Sequence, residues 1–160
     1  MREFLAMTNR PSSSNNDMSV PNTSILQDQD SDTKSRHKVL IIEDTQELAE
    51  ILQATLRRMN LTVFHASHGI RALEVYDAEH PDLVLLDIAL PDMQGWKVLD
   101  TIKEQRRGGK LPIIIVITAY GDPANRLMGK LQEVHSYLVK PFTPDEIERA
   151  VAKALGLDRR

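Results

Sequence analysis

Four apolar runs in this chain each end in polar residues that can bind a metal ion or a phosphoryl group. The polar residues are Glu43 and Asp44 after the first run, Asp87 after the second, Thr118 after the third and Lys140 after the fourth. In an open parallel α/β sheet, ligands bind outside the carboxyl ends of the strands. We therefore expect three acids, a hydroxyl and an amine to meet at one edge of one sheet.

This set of side chains suits a divalent cation and a phosphoryl group. Glu43, Asp44 and Asp87 would repel one another unless a cation joined them. Mg²⁺ is the natural candidate, because it prefers oxygen and binds through one or two carboxylates, waters and a phosphate. Asp87 ends a strand, so we expect it to be presented rather than buried and to attack phosphorus as a nucleophile. Lys140 and Thr118 would bind the phosphoryl oxygens.

Each of these residues also has a purely structural interpretation. Glu43 and Asp44 could cap the helix that follows, where negative charge is favourable. Asp92, in a proline-containing turn, is a rival phosphoryl acceptor. Thr118 could be an ordinary strand residue, Lys140 a solvated cation and Tyr137 a core residue. Their joint occurrence in one order and spacing favours the functional interpretation.

Composition limits the other classes of function. The chain has 160 residues, which suggests about one domain, and its 41% apolar content allows a core. A net charge of -3 gives no general reason to bind nucleic acid, and the absence of cysteine excludes thiol chemistry. The longest apolar stretch, 111–119, is far short of the roughly 20 residues of a membrane span. We expect a cytoplasmic protein without a membrane segment.

The first 36 residues differ from the rest in character. Runs of Ser, Asn, Asp and Gln at 12–17 and 27–32 cannot bury enough apolar surface to offset chain ordering. We predict a disordered tail over 1–36 and one domain over 37–160. A docking peptide over 20–26 is the alternative for the tail.

From residue 37 onward, strand and helix patterns alternate. We predict strands at 38–42, 62–66, 83–86, 113–117 and 136–139, and helices at 46–59, 69–78, 95–105, 123–131 and from 144 onward. Thr143, Pro144 and Glu146 predict a capping box at the last helix. Because only the second strand lacks a site residue, the order 2-1-3-4-5 makes the other four contiguous. The predicted fold is α/β: a doubly wound, five-stranded parallel sheet of the flavodoxin-like type.

Residues 37 to about 155 resemble a response-regulator receiver domain of two-component signalling, of the stand-alone chemotaxis type. The matching segments are VLIIED at 39–44, LLDIALPDMQG at 85–95, ITA at 117–119 and YLVKPF at 137–142. Each segment alone is only suggestive, but the four in order form a specific pattern.

The resemblance implies a role for each site residue. Asp87 would take a phosphoryl group from a phosphohistidine on a sensor histidine kinase or histidine phosphotransfer protein. Asp44, Asp87 and the Ala89 carbonyl would bind Mg²⁺ directly, with Glu43 acting largely through water. Lys140 would sense the phosphate, Thr118 and Tyr137 would be the switch pair, and Pro141 would follow a cis peptide bond.

The expected output is a protein contact. No DNA-binding or enzymatic segment follows the last helix in this sequence, so we expect no direct contact with nucleic acid and no catalysis beyond the protein's own phosphorylation and dephosphorylation. The face made by the fourth helix, fifth strand and fifth helix would bind a downstream protein or a second copy, as a homodimer. Phosphorylation would bias this face between two states.

The sequence departs from the family pattern at the end of the fourth helix and at two positions beside the site. Glu133 replaces a glycine that normally ends the fourth helix in a left-handed conformation, so we expect that helix to end differently or to be loosely ordered. Ala89 and Tyr120, each two residues beyond a site residue, offer no carboxylate or amide to orient an attacking water. Our hypothesis is that Tyr120 shields the aspartyl-phosphate and makes it long-lived.

Three other functions remain as alternatives. A pseudo-receiver would bind partners without phosphorylation, although the intact acids, Thr118 and Lys140 argue against it. A small phosphohydrolase would need a second acid two residues after the nucleophile, where this chain has Ala89. The chain could also be the N-terminal fragment of a larger regulator.

Overall fold

The computed structural model describes residues 36–105, 109–119 and 123–157, without the side chain of Asn125. The predicted N-terminal tail, apart from Arg36, lies outside these residues, as does Tyr120. Five strands and five helices alternate: β1 (Lys38–Ile42), α1 (Gln46–Arg58), β2 (Thr62–Ala66), α2 (Gly69–Glu79), β3 (Leu83–Asp87), α3 (Gly95–Gln105), β4 (Ile113–Thr118), α4 (Pro123–Gln132), β5 (Ser136–Val139) and α5 (Pro144–Leu155). All ten predicted elements are present, and their ends differ from prediction by at most one residue.

The five strands form one parallel sheet in the order β2-β1-β3-β4-β5, which confirms the predicted fold. The central pairs are in register with Leu40 opposite Val84 and Val84 opposite Ile114. This register brings the carboxyl ends of β1, β3, β4 and β5 to one edge of the sheet, where the predicted site residues lie.

Alternate residues of the strands face opposite sides of the sheet. Leu40 and Val84 pack with α2 and α3 on one side, in a core that includes the buried Trp96. Val39 and Leu83 pack with α1 and α5 on the other side. This alternation follows from the two-residue period of a strand, and it explains why the strands are apolar without interruption.

Helix α5 begins as the sequence predicts. Glu146 N donates to Thr143 Oγ1 at 3.2 Å, and Thr143 N donates to Glu146 Oε2 at 2.7 Å, which completes the capping box. Pro144 is at the first helical position, and Gly156 ends the helix with φ 70°. Among the described residues, no helix is long and apolar enough to cross a membrane.

The expectation that α4 would end differently from the family pattern is wrong. Glu133 adopts the left-handed conformation, with φ 60°, that a glycine would normally supply. Val134 N donates to Gly129 O at 3.1 Å, and Glu133 N donates to Lys130 O at 3.4 Å. These two bonds form a Schellman motif, which satisfies the last carbonyls of the helix and offsets the conformational cost of Glu133.

Candidate functional site

The site lies at the carboxyl edge of the sheet and is largely inside the protein. Glu43 is completely buried, Asp87 is 3% exposed and Thr118 is 7% exposed. Asp44 is exposed, so it borders the site on the solvent side. The expectation that Asp87 is presented rather than buried is therefore wrong: its carboxylate lies inside the edge of the sheet, with Oδ2 3.2 Å from Lys140 Nζ.

Lys140 links the two buried acids. Its Nζ lies 3.2 Å from Asp87 Oδ2 and 3.1 Å from Glu43 Oε2. Burial works against the charged ammonium, but the carboxylates of Asp87 and Glu43 outweigh it and raise the pKa of Lys140. The ammonium therefore remains protonated and supplies the positive charge that lets both acids occupy one site.

Glu43 carries the clearest sign that the site can hold a cation. Burial, and then the nearby Asp87 carboxylate, raise the pKa of Glu43. Its Oε1 accepts hydrogen bonds from Thr45 N at 3.2 Å and Lys140 Nζ at 3.3 Å. Its Oε2 is buried and, among the described groups, receives no hydrogen bond beyond the ion pair with Lys140. A buried oxygen with unused acceptor capacity is suited to a cation or its bound water.

The acidic group fits a divalent metal. One carboxylate oxygen from each of Glu43, Asp44 and Asp87 lies within 4.8 Å of the others. All three donors are hard oxygens, which suits Mg²⁺ better than a thiophilic metal. The simple capping interpretation of Glu43 explains less, because its side chain bonds to Thr45 N ahead of α1 rather than within the helix.

The other predicted residues, apart from Tyr137, lie next to this group. Asp87 Oδ1 accepts a hydrogen bond from Ala89 N at 3.0 Å, which fixes the carboxylate at the start of the following loop. Thr118 ends β4, and its carbonyl accepts from Lys140 N at 2.8 Å. The Lys140-Pro141 bond is cis, as the resemblance implies. Tyr137 lies on β5 with its ring toward α4 rather than at the acids.

Comparison with known proteins identifies the family to which the chain belongs. A family model described as the response regulator receiver domain matches residues 39–152. The chain belongs to this family. The receiver is 37% identical over 126 residues to "Probable transcriptional regulator ycf27" of Guillardia theta, an alignment that covers 79% of this chain and 48% of that protein.

A second curated relative and a solved structure are also similar to this chain. The receiver is 31% identical over 118 residues to the alkaline phosphatase synthesis transcriptional regulatory protein PhoP of Bacillus subtilis, covering 74% of this chain and 48% of that one. The chain therefore spans about half the length of these curated relatives. Its fold matches chemotaxis protein CheY4 of Vibrio cholerae with a TM-score of 0.70 at 24% identity, over 75% of this chain and 99% of that chain.

Asp92 has a structural role that sequence reasoning missed. Its Oδ1 accepts from Gly69 N at 2.7 Å and its Oδ2 from Ile70 N at 2.9 Å, so it caps the start of α2 from a loop 23 residues away. His68, the local N-cap residue, makes no side-chain cap bond. The carboxylate thus replaces a local cap and ties the loop after Asp87 to α2. No local pattern signals a cap supplied from such a distance.

Strand β2 also supports the site, although it adds no predicted residue. Glu43 N donates to Ala66 O at 3.1 Å, and His65 Nε2 lies 2.9 Å from Glu43 O. The backbone N–H and carbonyl of Glu43 are therefore both held by hydrogen bonds to β2.

The Asp92 cap predicts a pH-dependent stability. The Gly69 and Ile70 N–H groups lower the pKa of Asp92 below its usual value of about 3.8. Its stabilising effect is therefore present above about pH 4 and is lost as the pH falls through the lower folded-state pKa. We expect Asp92→Asn to lower Tm at pH 7 and the gap to the parent to close as the pH falls through the lowered pKa of Asp92. Asp77→Asn, at an exposed position later in α2, is the control; an equal Tm loss there would contradict the cap.

Proposed function

We propose that this receiver is a phosphorylation-dependent switch of a two-component or phosphorelay system. Asp87 accepts a phosphoryl group from a phosphohistidine on a sensor histidine kinase or a phosphotransfer protein. The observation that carries the proposal is the bridge of Lys140 Nζ between the buried Asp87 and Glu43 carboxylates, with spare acceptor capacity on Glu43. The matched family supports the same reaction.

The transfer exchanges one bond to phosphorus for another. An Asp87 carboxylate oxygen forms a P–O bond while the P–N bond to the donor imidazole breaks, and the imidazole leaves with the electron pair and takes up a proton. Ala89 N already holds Asp87 Oδ1, which limits rotation of the carboxylate. Lys140 and Thr118 would bind phosphoryl oxygens, so the chain would supply positioning and charge rather than a second reactive group.

Glu43, Asp44, Asp87 and the Ala89 carbonyl would hold Mg²⁺ at this edge. When bound, the ion supplies positive charge that offsets the negative charge of the phosphoryl oxygens. The buried Glu43 and Asp87 orient this set, and the exposed Asp44 leaves its solvent side open to a donor. Ala89 offers no acid for a hydrolytic cycle, so the proposed chemistry is limited to the receiver's own phosphorylation and dephosphorylation.

The output we propose is a change in the surface made by α4, β5 and α5. Leu127 and Leu131 on α4 are 60% and 70% exposed, and Val139 at the end of β5 is also exposed. Apolar side chains grouped this way suit contact with a downstream protein or a second copy of the chain. Thr118 and Tyr137 would link this surface to the phosphoryl group.

A second candidate function follows from the relatives. The curated proteins named as transcriptional regulators are about twice as long as the matched region, so this receiver could be the input part of a longer regulator of that kind. In that case the partner of the α4, β5 and α5 surface would be a segment of the same protein. The pseudo-receiver alternative differs from both because it predicts no phosphorylation.

Phosphoryl transfer from acetyl phosphate tests the proposed function. We expect intact mass spectrometry to show one added phosphoryl group in the presence of Mg²⁺ and none in EDTA. Asp87→Ala should show none, because the nucleophile is gone. Asp92→Ala is the matched control and should label as the parent does, because its carboxylate is used in capping α2. Equal labelling of Asp87→Ala, or no labelling of the parent, would reject the proposal.

A further inference from the structure

The ring of Tyr137 occupies the space that a side chain at Gly129 would need. A Cβ built on Gly129 would overlap the Oη and Cζ atoms of Tyr137. Because Cβ atoms essentially never lie within 3.0 Å of another heavy atom, a side chain at 129 would require the ring to move. Glycine at 129 is therefore a steric requirement of this position of the ring. We call this depression in the surface of α4 the Gly129 notch.

The notch is the tightly packed part of an otherwise open helix. Gly129 is buried, whereas its neighbours Met128 and Lys130 are exposed. The phenol donates a hydrogen bond to Arg126 O at 3.4 Å, one turn before Gly129. Partial burial of the phenol raises the pKa of Tyr137, which agrees with a ring held against the helix.

A glycine inside a helix needs an explanation, because it is less favourable than alanine by roughly 0.8–1.0 kcal/mol. Nothing in the Schellman ending of α4 requires glycine at this position, since Gly129 contributes only its backbone carbonyl. Its φ is not in the left-handed region, unlike that of Glu133. The overlap with Tyr137 supplies the missing reason.

We propose that Gly129 is a positioning residue that holds Tyr137 in the resting position of the switch, by leaving room for its ring on α4. The regulatory part of this inference rests on the proposed function, whereas the steric requirement for glycine at 129 does not. Among the possible rotamers of Tyr137, the observed one requires a residue without a side chain at 129. A side chain there raises the energy of that position alone and shifts Tyr137 to another rotamer, without any phosphoryl group.

The test uses the unphosphorylated receiver and the variant Gly129→Ala. Nuclear Overhauser effects between the Tyr137 ring and residue 129 report whether the ring occupies the notch. We expect these effects to weaken at least about tenfold in Gly129→Ala, because overpacking by one methyl group shifts such equilibria by this order. Lys130→Ala, next to the notch and exposed, should leave them unchanged. Retention of the contacts in Gly129→Ala would overturn the proposal.

A second measurement separates the notch from a general effect on α4. In the parent, Gly129→Ala should lower Tm, because the methyl group and the ring compete for one space. In a Tyr137→Ala background the same substitution should raise Tm, because alanine favours the helix and no ring is displaced. The same sign in both backgrounds would overturn the proposal, even if Gly129→Ala alone were too unstable for spectroscopy.

Measurements on the phosphorylated receiver distinguish an error in the role of Gly129 from an error in the proposed function. After labelling with acetyl phosphate and Mg²⁺, the parent should lose the contacts between Tyr137 and Gly129, as Gly129→Ala does without phosphate. If the parent labels and the ring stays in the notch, the regulatory role of Gly129 is wrong. If Asp87 does not label, the proposed function fails, while the two measurements on the unphosphorylated protein still decide the steric claim.

Discussion

Replacing Lys140 by alanine is expected to destabilise the metal-free protein by about 3 kcal/mol, the lower end for a buried ion pair because Lys140 is 25% exposed. The substitution leaves the buried Asp87 and Glu43 carboxylates facing each other without their shared cation. Burial and Asp87 already raise the pKa of Glu43, so the loss of Lys140 would favour protonation of one acid. Urea denaturation at pH 7 measures the effect as a lower midpoint with an unchanged slope.

Two further results would confirm that the unpaired negative charge of Asp87 and Glu43 causes the loss of stability in Lys140→Ala. Mg²⁺ should restore part of the lost stability, because an ion that binds only the folded state stabilises it by mass action. Asp87→Asn in the Lys140→Ala background should also restore stability by removing one of the two acids. Lys153→Ala, at an exposed position of α5, is the control and should change stability by less than about 0.5 kcal/mol. An equally small effect of Lys140→Ala would contradict the predicted role of the ammonium.

Replacing Gly95 by alanine is expected to cost about 3 kcal/mol, through overpacking against the backbone. A Cβ at this buried position would lie 2.6 Å from the carbonyl oxygen of Asp87 and 2.9 Å from Ile88 Cα. Neither atom can move without displacing the end of β3, which carries the phosphoryl acceptor. We therefore expect a lower denaturation midpoint and slower labelling of Asp87 by acetyl phosphate.

Gly69→Ala is the matched control for Gly95→Ala. The nominal overlap is as severe, since a Cβ would lie 2.5 Å from Met93 Cγ and 2.6 Å from Met93 Sδ. These atoms belong to a flexible side chain that can change rotamer, and alanine also reduces the freedom of the unfolded chain. We expect a change within about 1 kcal/mol. A loss at Gly69 equal to that at Gly95 would show that overlap with backbone is not what makes Gly95 sensitive.

The sequence alone predicted the fold and the meeting of Glu43, Asp44, Asp87 and Lys140 at one edge of the sheet. Uninterrupted apolar runs indicated strands buried on both faces, and the placement of Glu43, Asp87, Thr118 and Lys140 at strand ends selected the sheet order. The capping box at Thr143 was also readable, because all its parts lie within four residues. These features depend on periodicity and on short-range spacing, which a sequence states directly.

Only the tertiary structure decided how the parts are used. Asp87 is buried rather than presented, and its carboxylate pairs with Lys140, 53 residues away in the sequence. Asp92 caps α2 from another loop, and Tyr137 fills the space beside Gly129, although neither pairing is marked in the sequence. Glu133 takes a left-handed conformation because two backbone hydrogen bonds compensate for it. Each outcome depends on which side chains meet across the fold, and that is set by packing in three dimensions rather than by local pattern.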